Sequence, residues 1–337
     1  MEAEEDTRPP HHGPDGRYRN PWPRLPPEPD AGDMLKWVWQ RVRTGLPPDP
    51  GPASLPAGEP DLAQPRLPPA GDGMRATWVG QATFLVQLPG LNVLTDPMFA
   101  DRASPLPWAG PRRLVPPGIA LDALPPVDVV LLSHDHYDHL DRPSVRALAE
   151  RFPAAAWFTP LGYRPWLESR GVARVVELDW WDEATHRGDT GVVAGIRGLP
   201  ARHWTKRGVL DARRRLWSAW RLECAGRRVF FAGDSGYCPA FSEVAAREAP
   251  FDLVLLPIGA YEPRWFMAAA HMTPEEAAQA YADLGGRGAF VGMHWGTFRL
   301  TDEAPLEPPA RLRRAWAALG HADADLYVPR HGETLRL

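Results

Sequence analysis

The sequence predicts an α/β protein in which two mixed β-sheets are flanked by helices. From Met74 onward, short apolar runs that fit strands alternate with segments of helical periodicity. Turn residues such as Gly80 and the pair at 89–90 separate the first of these runs. The alternation extends over about 260 residues, which is enough chain for two sheets with helices packed on them.

The strands are predicted from apolar runs in which β-branched and aromatic residues are frequent. Three consecutive strands come first, and the later strands alternate with helices. They cover residues 76–80, 82–88, 91–97, 127–134, 155–160, 173–181, 191–201, 216–225, 227–234, 251–260, 289–295 and 326–333.

Three helices of the main domain have recognisable ends or apolar faces. The first begins near Pro143, with Asp141 as its N-cap. The second covers residues 273–286, where Thr273 caps the helix and Glu276 completes a capping box. The third covers residues 310–320.

Residues 1–73 are predicted to form a proline-rich N-terminal extension, and residues 74–337 the main domain. The extension holds 17 of the 40 prolines, which disfavours regular sheet and long helix. A short amphipathic helix is expected at about residues 33–46. Its apolar side chains either pack on the main domain or face a membrane surface; they are Leu35, Val38, Trp39, Val42 and Leu46.

Composition limits the possible locations and partners. The formal net charge is -4 without a basic block, so we expect no nucleic-acid partner. Two cysteines imply no disulfide framework, and there is neither an apolar run of membrane-spanning length nor a signal-peptide core. We therefore expect a cytoplasmic protein that can lie peripherally on the inner face of the membrane through residues 33–46.

Ionisable side chains follow several apolar strands where each strand ends. The segment LLSHDHYDHLD contains the motif H-x-H-x-D-H, formed by His134, His136, Asp138 and His139. Further strands end at Asp96, His203, Asp234 and His294. Imidazole nitrogens and carboxylate oxygens suit zinc and related divalent ions, whereas a hydrogen-bonded polar loop would not need distant partners of the same kind.

The spacing of the motif favours two metal ions over one. His134 and His136 can point the same way from an extended segment, while Asp138 and His139 can point to a neighbouring position after a turn. His203, Asp234 and His294 would complete the two shells, and a carboxylate can bridge two ions. We expect zinc, and the same ligands also accept iron or manganese.

The sequence resembles the metallo-β-lactamase fold family, and within it the N-acylphosphatidylethanolamine-hydrolysing phospholipase D branch. The resemblance runs from about residue 17 to residue 296 and is carried by RYRNPWP, ATWVGQATFLVQ, LTDPMF with RASP and GPRR, SHDHYDHLD, HWTKR, LWSAW, FFAGDSGYCPAF, PIGAYEPRWFM, HMTPEEA and HWGTF. It implies a four-layer αβ/βα sandwich with a dinuclear metal site. Relatives also suggest a homodimer.

The resemblance assigns roles to individual side chains. One metal would be held by His134, His136 and His203, the other by Asp138, His139 and His294, with Asp234 as the bridge. Asp96 would orient a ligand imidazole without binding metal. His271 would lie beside the reacting group, and His271 and Asp138 are the expected catalytic residues.

Two residues depart from the pattern of the family. Gln81 stands where a histidine is expected, and Ala270 stands where many relatives carry glutamine. We expect neither residue to contact the seven metal ligands.

These observations favour a metal-dependent hydrolase that cleaves a phosphodiester by attack of a metal-bridging hydroxide on phosphorus. The substrate implied by the resemblance is N-acylphosphatidylethanolamine, which would give an N-acylethanolamine and phosphatidic acid. Alternatives are a lactonase or sugar-phosphate hydrolase of the same fold, a nucleic-acid phosphodiesterase, and a membrane-associated regulatory protein with a structural metal site.

Overall fold

Two seven-stranded mixed sheets form the centre of the protein. The computed structural model describes residues 8–22, 25, 27–51, 54–55, 57–68, 70, 73–189 and 191–337, so residues 1–7 of the predicted extension lie outside the described residues. The sheet orders are β14-β1-β2-β3-β4-β5-β6 and β13-β12-β11-β10-β9-β8-β7. The strands of the two sheets are Arg75–Gly80 (β1), Thr83–Leu88 (β2), Leu91–Thr95 (β3), Val129–Leu131 (β4), Ala156–Pro160 (β5), Arg174–Leu178 (β6), Glu183–Arg187 (β7), Val193–Leu199 (β8), Ala219–Cys224 (β9), Arg227–Phe231 (β10), Leu253–Pro257 (β11), Ala289–Met293 (β12), Leu326–Tyr327 (β13) and Thr334–Arg336 (β14).

The sheets face each other and bury alternate side chains between them. In β2, Phe84 and Val86 point into the core between the sheets, whereas Leu85 points to the opposite side. β5 repeats the pattern, with Phe158 inside and Trp157 outside. Because successive side chains of a strand point to opposite faces, each sheet needs a second apolar layer on its outer side.

Helices provide these outer layers, and the predicted fold class is thereby confirmed. The helices at 142–151 (α2) and 164–168 (α3) cover the first sheet. Those at 240–248 (α4), 274–283 (α6) and 307–318 (α7) cover the second. The caps at Asp141 and Thr273 are those expected, because Asp141 accepts from the backbone N–H of Ser144, and Thr273 and Glu276 form a capping box. The helices are Ala31–Thr44 (α1), Arg142–Arg151 (α2), Arg164–Glu168 (α3), Ala240–Glu248 (α4), Arg264–Met267 (α5), Pro274–Asp283 (α6) and Glu307–Ala318 (α7).

The predicted closing strand at 326–333 is wrong beyond Tyr327, and a separate strand begins only at Thr334. Leu326–Tyr327 pairs with β12 in the second sheet, and Thr334–Arg336 pairs with β1 in the first sheet. Between them lies Pro329, which has no N–H to donate to a ladder. The sequence prediction also missed β7, an edge strand in which only His186 is buried, because it lacks an apolar alternation.

α1 lies where an amphipathic helix was predicted, but its apolar stripe does not pack on the main domain. Leu35 is 72% exposed and Val42 is 82% exposed. The helix instead contacts the domain through Trp37, which is 8% exposed, stacks on Phe266 at 4.9 Å between ring centroids, and donates from Nε1 to Asp302 at 2.7 Å. The helix therefore packs on the main domain through Trp37, whereas its predicted apolar stripe is exposed.

Among the helices in the part of the chain that the structure describes, none has the length and apolarity needed to cross a membrane.

The two sheets come into close contact beside the site described below. Ser218 donates its backbone N–H to the carbonyl of Ser133 at 3.0 Å. Gly233 has a φ of +57°, and a Cβ placed there would lie 2.3 Å from the Cβ of Ser133. Only glycine fits this position without displacing the loop after β4.

We expect Gly233→Ala to lower the free energy of unfolding by more than Gly226→Ala does. Gly226 also has a positive φ, of +75°, but an added Cβ there would have no atom within 4 Å. In both variants alanine must adopt a left-handed backbone conformation, which costs ~1–2 kcal/mol. Only Gly233→Ala also forces the new Cβ against Ser133, which costs a further ~1–3 kcal/mol. Urea unfolding followed by tryptophan fluorescence measures the difference, and equal losses would contradict the close contact.

Candidate metal centre

The ionisable side chains predicted from the strand ends lie together at one end of the sandwich. Asp96 follows β3, and the segment from His134 to His139 follows β4 in the first sheet. In the second sheet, His203 follows β8, Asp234 follows β10 and His294 follows β12. The carboxyl ends of the central strands of both sheets open to the same side, so residues far apart in the chain meet there.

One group of side chains consists of three histidines. The Nδ1 atom of His136 lies 3.0 Å from Nε2 of His134 and 3.1 Å from Nε2 of His203. Burial lowers the pKa of His136 to about 4 and that of His203 to about 3, and it lowers the pKa of His134 as well. Neutral imidazoles with convergent nitrogens are what a divalent ion requires.

The second group consists of two histidines and two carboxylates. Nε2 of His139 lies 3.2 Å from Oδ2 of Asp138 and 3.1 Å from Oδ2 of Asp234. Nε2 of His294 lies 3.1 Å and 3.2 Å from the same two oxygens. Ligands about 2.0–2.2 Å from a shared ion are separated by distances of this size.

Asp234 stands between the two groups. Its Oδ2 atom is also 3.8 Å from Nε2 of His134 and 3.9 Å from Nε2 of His203. Although burial acts against ionisation, His139 and His294 hold the pKa of Asp234 well below its ordinary value. An ionised carboxylate that faces both groups fits a bridging ligand.

The donor set fits cations better than it fits hydrogen bonding among its own members. Three ring nitrogens of the first group converge, and neutral rings cannot supply donors for all the close pairs. Oδ1 of Asp234 is buried without a hydrogen-bond partner. Buried acceptors of this kind are rare unless a cation or water satisfies them.

A layer of outer hydrogen bonds fixes the orientation of the imidazoles. Oδ2 of Asp96 lies 2.7 Å from Nδ1 of His139, and the backbone N–H of Ser133 donates to Oδ1 of Asp96 at 2.6 Å. Nδ1 of His203 donates to the carbonyl of Ala270 at 3.0 Å, which leaves its Nε2 as an acceptor.

Backbone strain is concentrated at the same place. Gln81, Asp96 and His294 have φ angles of 53°, 30° and 62°, in a region that residues other than glycine rarely occupy. Such strain is retained where the surrounding contacts hold it, as at functional sites.

The expectation that Gln81 and Ala270 avoid the ligands is wrong. Nε2 of Gln81 lies 2.8 Å from Oδ2 of Asp138 and 2.8 Å from Nε2 of His294. Ala270 contacts His203 through its carbonyl oxygen. The contact of Gln81 depends on hydrogen bonds between the turn after β1 and the loop after β12, which are far apart in the chain. The contact of Ala270 is made by its backbone, so neither contact could be inferred from side-chain type.

His271 lies beside the centre but outside the two groups. Its Nδ1 atom is 3.9 Å from Oδ2 of Asp234 and has no hydrogen-bond partner. Burial lowers the pKa of His271 to about 3, so the ring is neutral at physiological pH. Its backbone carbonyl accepts from Nη1 of Arg264 at 2.8 Å, which anchors the segment before α6.

A cavity of about 810 Å³ opens above the centre, and its walls include residues that sequence reasoning did not assign to the site. Trp204 contacts the ring of His136 at 4.4 Å between centroids. Asn20, in the N-terminal extension, is not part of the cavity lining but donates from Nδ2 to the carbonyl of His203 at 2.9 Å. The only sequence signals for these residues are the segments HWTKR and RYRNPWP. Other lining residues are Met34, Leu35, Trp37, Lys206, Phe266 and Met267.

Comparison with known proteins identifies the family of this chain. Residues 91–295 match the family model described as the Beta-lactamase superfamily domain. The N-acyl-phosphatidylethanolamine-hydrolyzing phospholipase D 1 of Caenorhabditis elegans is 42% identical over 248 residues, which cover 72% of this chain and 69% of that one. The mitochondrial N-acyl-phosphatidylethanolamine-hydrolyzing phospholipase D of Saccharomyces cerevisiae is 34% identical over 77% of this chain, which spans 55% of the yeast protein.

Solved structures of low sequence identity share the fold. The isothiocyanate hydrolase from Delia radicum gut bacteria matches with a TM-score of 0.60 at 20% identity, covering 78% of this chain and 98% of that one. Igni18, a metallo hydrolase from Ignicoccus hospitalis, matches with a TM-score of 0.58 at 21% identity, covering 79% and 98%. The chain therefore belongs to the beta-lactamase superfamily of metallo-hydrolases, in the branch that contains the N-acyl-phosphatidylethanolamine-hydrolysing phospholipases D.

Proposed function

We propose that the protein is a dinuclear metal-dependent phosphodiesterase that cleaves N-acylphosphatidylethanolamine to an N-acylethanolamine and phosphatidic acid. The observation that carries this proposal is the position of Asp234, whose Oδ2 atom faces both groups of ligands at the floor of a large cavity. The names of the worm and yeast relatives support the phospholipid substrate.

Seven side chains would hold the two ions. When bound, two divalent ions supply a nucleophilic water of lowered pKa and offset the negative charge of the phosphate. Zinc is our first expectation, with iron and manganese as alternatives for the same donor set. The proposed ligands are His134, His136 and His203 for one ion, Asp138, His139 and His294 for the other, and Asp234 for both.

The catalytic residues of the proposal are Asp138 and His271, and both line the cavity. Asp138 is ionised, because its histidine neighbours outweigh burial and hold its pKa well below the ordinary value. It can therefore accept a hydrogen bond from the attacking water. The neutral ring of His271 can orient the phosphate, or relay a proton through water to the leaving alkoxide by accepting a proton at one ring nitrogen as the other nitrogen releases one.

The walls of the cavity suit a lipid. Apolar side chains from α1 and α5 form one side, among them Leu35, Phe266 and Met267. Lys206 supplies positive charge to the lining, whereas Arg213 is paired with Glu28, which also lines the cavity. An acyl chain can lie along the apolar side while the phosphate reaches the floor, which favours a phospholipid over a lactone or a sugar phosphate.

We also propose that the protein lies peripherally on a membrane surface, on the cytoplasmic inner face. The stripe of α1 is exposed next to the cavity, and Val209 and Leu210 are 88% and 81% exposed on the loop after His203. Exposed apolar side chains beside basic ones are typical of interfacial segments. The homodimer stays a proposal that rests on the family resemblance, and the division at residue 73 stays a proposal that rests on the proline-rich composition of residues 1–73.

We expect purified protein with two equivalents of metal to hydrolyse N-acylphosphatidylethanolamine in detergent micelles. Asp96→Asn removes a hydrogen-bond partner of His139, and losing such an outer partner costs about 10–100-fold in activity. Asp234→Asn removes a proposed ligand of both ions and should therefore lower kcat by more. The exposed Asp122→Asn serves as the matched control and should retain full activity. Hydrolysis of lactones without hydrolysis of the phospholipid would replace the proposed substrate.

We expect Trp39→Ser to weaken sedimentation with anionic phospholipid vesicles by several-fold, because Trp39 is exposed on the apolar stripe. Trp37→Ser is the matched comparison on the same helix. Trp37 is buried against Phe266 and Asp302. Trp37→Ser should therefore lower the free energy of unfolding more than Trp39→Ser does, and weaken vesicle binding less. Unchanged vesicle binding of Trp39→Ser would contradict the membrane role of α1.

A further inference from the structure

The side chain of Gln81 ends among the atoms of the proposed second metal shell. It is 1% exposed, and its terminal Nε2 atom lies 2.8 Å from both Oδ2 of Asp138 and Nε2 of His294. Those two atoms are themselves 3.1 Å apart. The end of the amide therefore lies beside one edge of the ligand set.

The backbone around Gln81 holds this position firmly. Its N–H donates to Oγ1 of Thr297 at 2.7 Å, and its carbonyl accepts from the backbone N–H of His294 and from Nε1 of Trp78, both at 3.0 Å. The left-handed φ of 53° directs the side chain into the centre. Gln81 and His294 are thus fixed to each other by backbone as well as side chain.

The distances fit an additional coordination position. Two ligands in neighbouring positions of a five- or six-coordinate ion, each about 2.0–2.1 Å from it, are separated by about 2.9 Å. Both separations from the Gln81 amide are 2.8 Å. The amide is therefore placed as a neighbour of both Asp138 and His294 in one shell.

The chemistry of the contact with His294 favours the amide oxygen at that place. Nε2 of His294 would give its electron pair to the ion, so it could not also accept an N–H from Gln81. An amide N–H would moreover face a cation. A half-turn about the last bond of the side chain exchanges the nitrogen and the oxygen at nearly the same position.

We propose that Oε1 of Gln81 is an additional ligand of the ion held by Asp138, His139 and His294. This inference rests on the metal centre of the proposed function. It gives that ion a neutral oxygen donor where the family resemblance led us to expect a histidine, and carbonyl oxygen suits manganese better than imidazole does. Gln81 would then help to decide which metal the second position accepts.

The opposing possibility is that Gln81 only positions Asp138 by donating a hydrogen bond to it. The two roles respond oppositely to Gln81→Glu. A carboxylate retains a ligand oxygen, so metal binding should be kept or strengthened. If Gln81 only positions Asp138, Gln81→Glu removes the hydrogen-bond donor and places a second negative charge beside the Asp138 carboxylate. Metal binding should then weaken.

The experiment measures stepwise affinity for Zn²⁺ and Mn²⁺ by chelator competition, together with the visible absorption spectrum of the Co²⁺-loaded protein. We expect Gln81→Leu to weaken one binding step at least about tenfold and leave the other unchanged. Its Co²⁺ absorption should become more intense, as expected when the coordination number falls. Gln81→Glu should bind at least as tightly as the natural protein, and Gln279→Leu on α6 is the control for loss of a glutamine.

Unchanged affinity and spectrum in Gln81→Leu would overturn the inference, and so would a Gln81→Glu protein that binds as weakly as Gln81→Leu. Gln81→Met preserves the length of the side chain and replaces the leucine variant if that protein does not fold. A natural protein that binds fewer than two ions would instead refute the metal centre itself, independently of Gln81.

Discussion

The structure depends on one buried carboxylate, Asp234, around which four buried histidines converge. An ionised carboxylate removed from water is costly unless charges or hydrogen bonds compensate it. Here His139 and His294 lie within 3.2 Å of its Oδ2 atom, and His134 and His203 lie within 3.9 Å of the same atom. The compensation comes from both sheets, so the ends of both sheets must be held in register with each other.

Several features far apart in the chain meet this requirement. Gly233 allows the loop that carries Asp234 to contact Ser133, which precedes His134. Ser133 in turn donates to Asp96, and Asp96 holds His139. The positive φ angles at Asp96 and His294 are local costs that the surrounding hydrogen bonds offset. The geometry of the site and the packing of the two sheets therefore depend on the same contacts.

The N-terminal extension contributes to the same arrangement. Asn20 donates to the carbonyl of His203, and His11 and His12 hold this segment against Asp179 through hydrogen bonds of 2.7 and 2.8 Å. Trp37 fixes α1 at the rim of the cavity, which leaves the apolar stripe exposed beside it. Residues that appeared peripheral by composition thus form part of the wall around the candidate site.

The sequence by itself determined the fold class and the chemical nature of the centre. Apolar periodicity identifies most strands, and the spacing from His134 to His139 together with polar residues at strand ends identifies the donor set, because both are local properties of the chain. Tertiary structure alone decided that Gln81 lies among the proposed ligands, that Ala270 contacts His203, and that the stripe of α1 is exposed. Those facts depend on contacts between segments that are far apart in the chain. A local pattern of residue types does not determine which distant segment will pack against it.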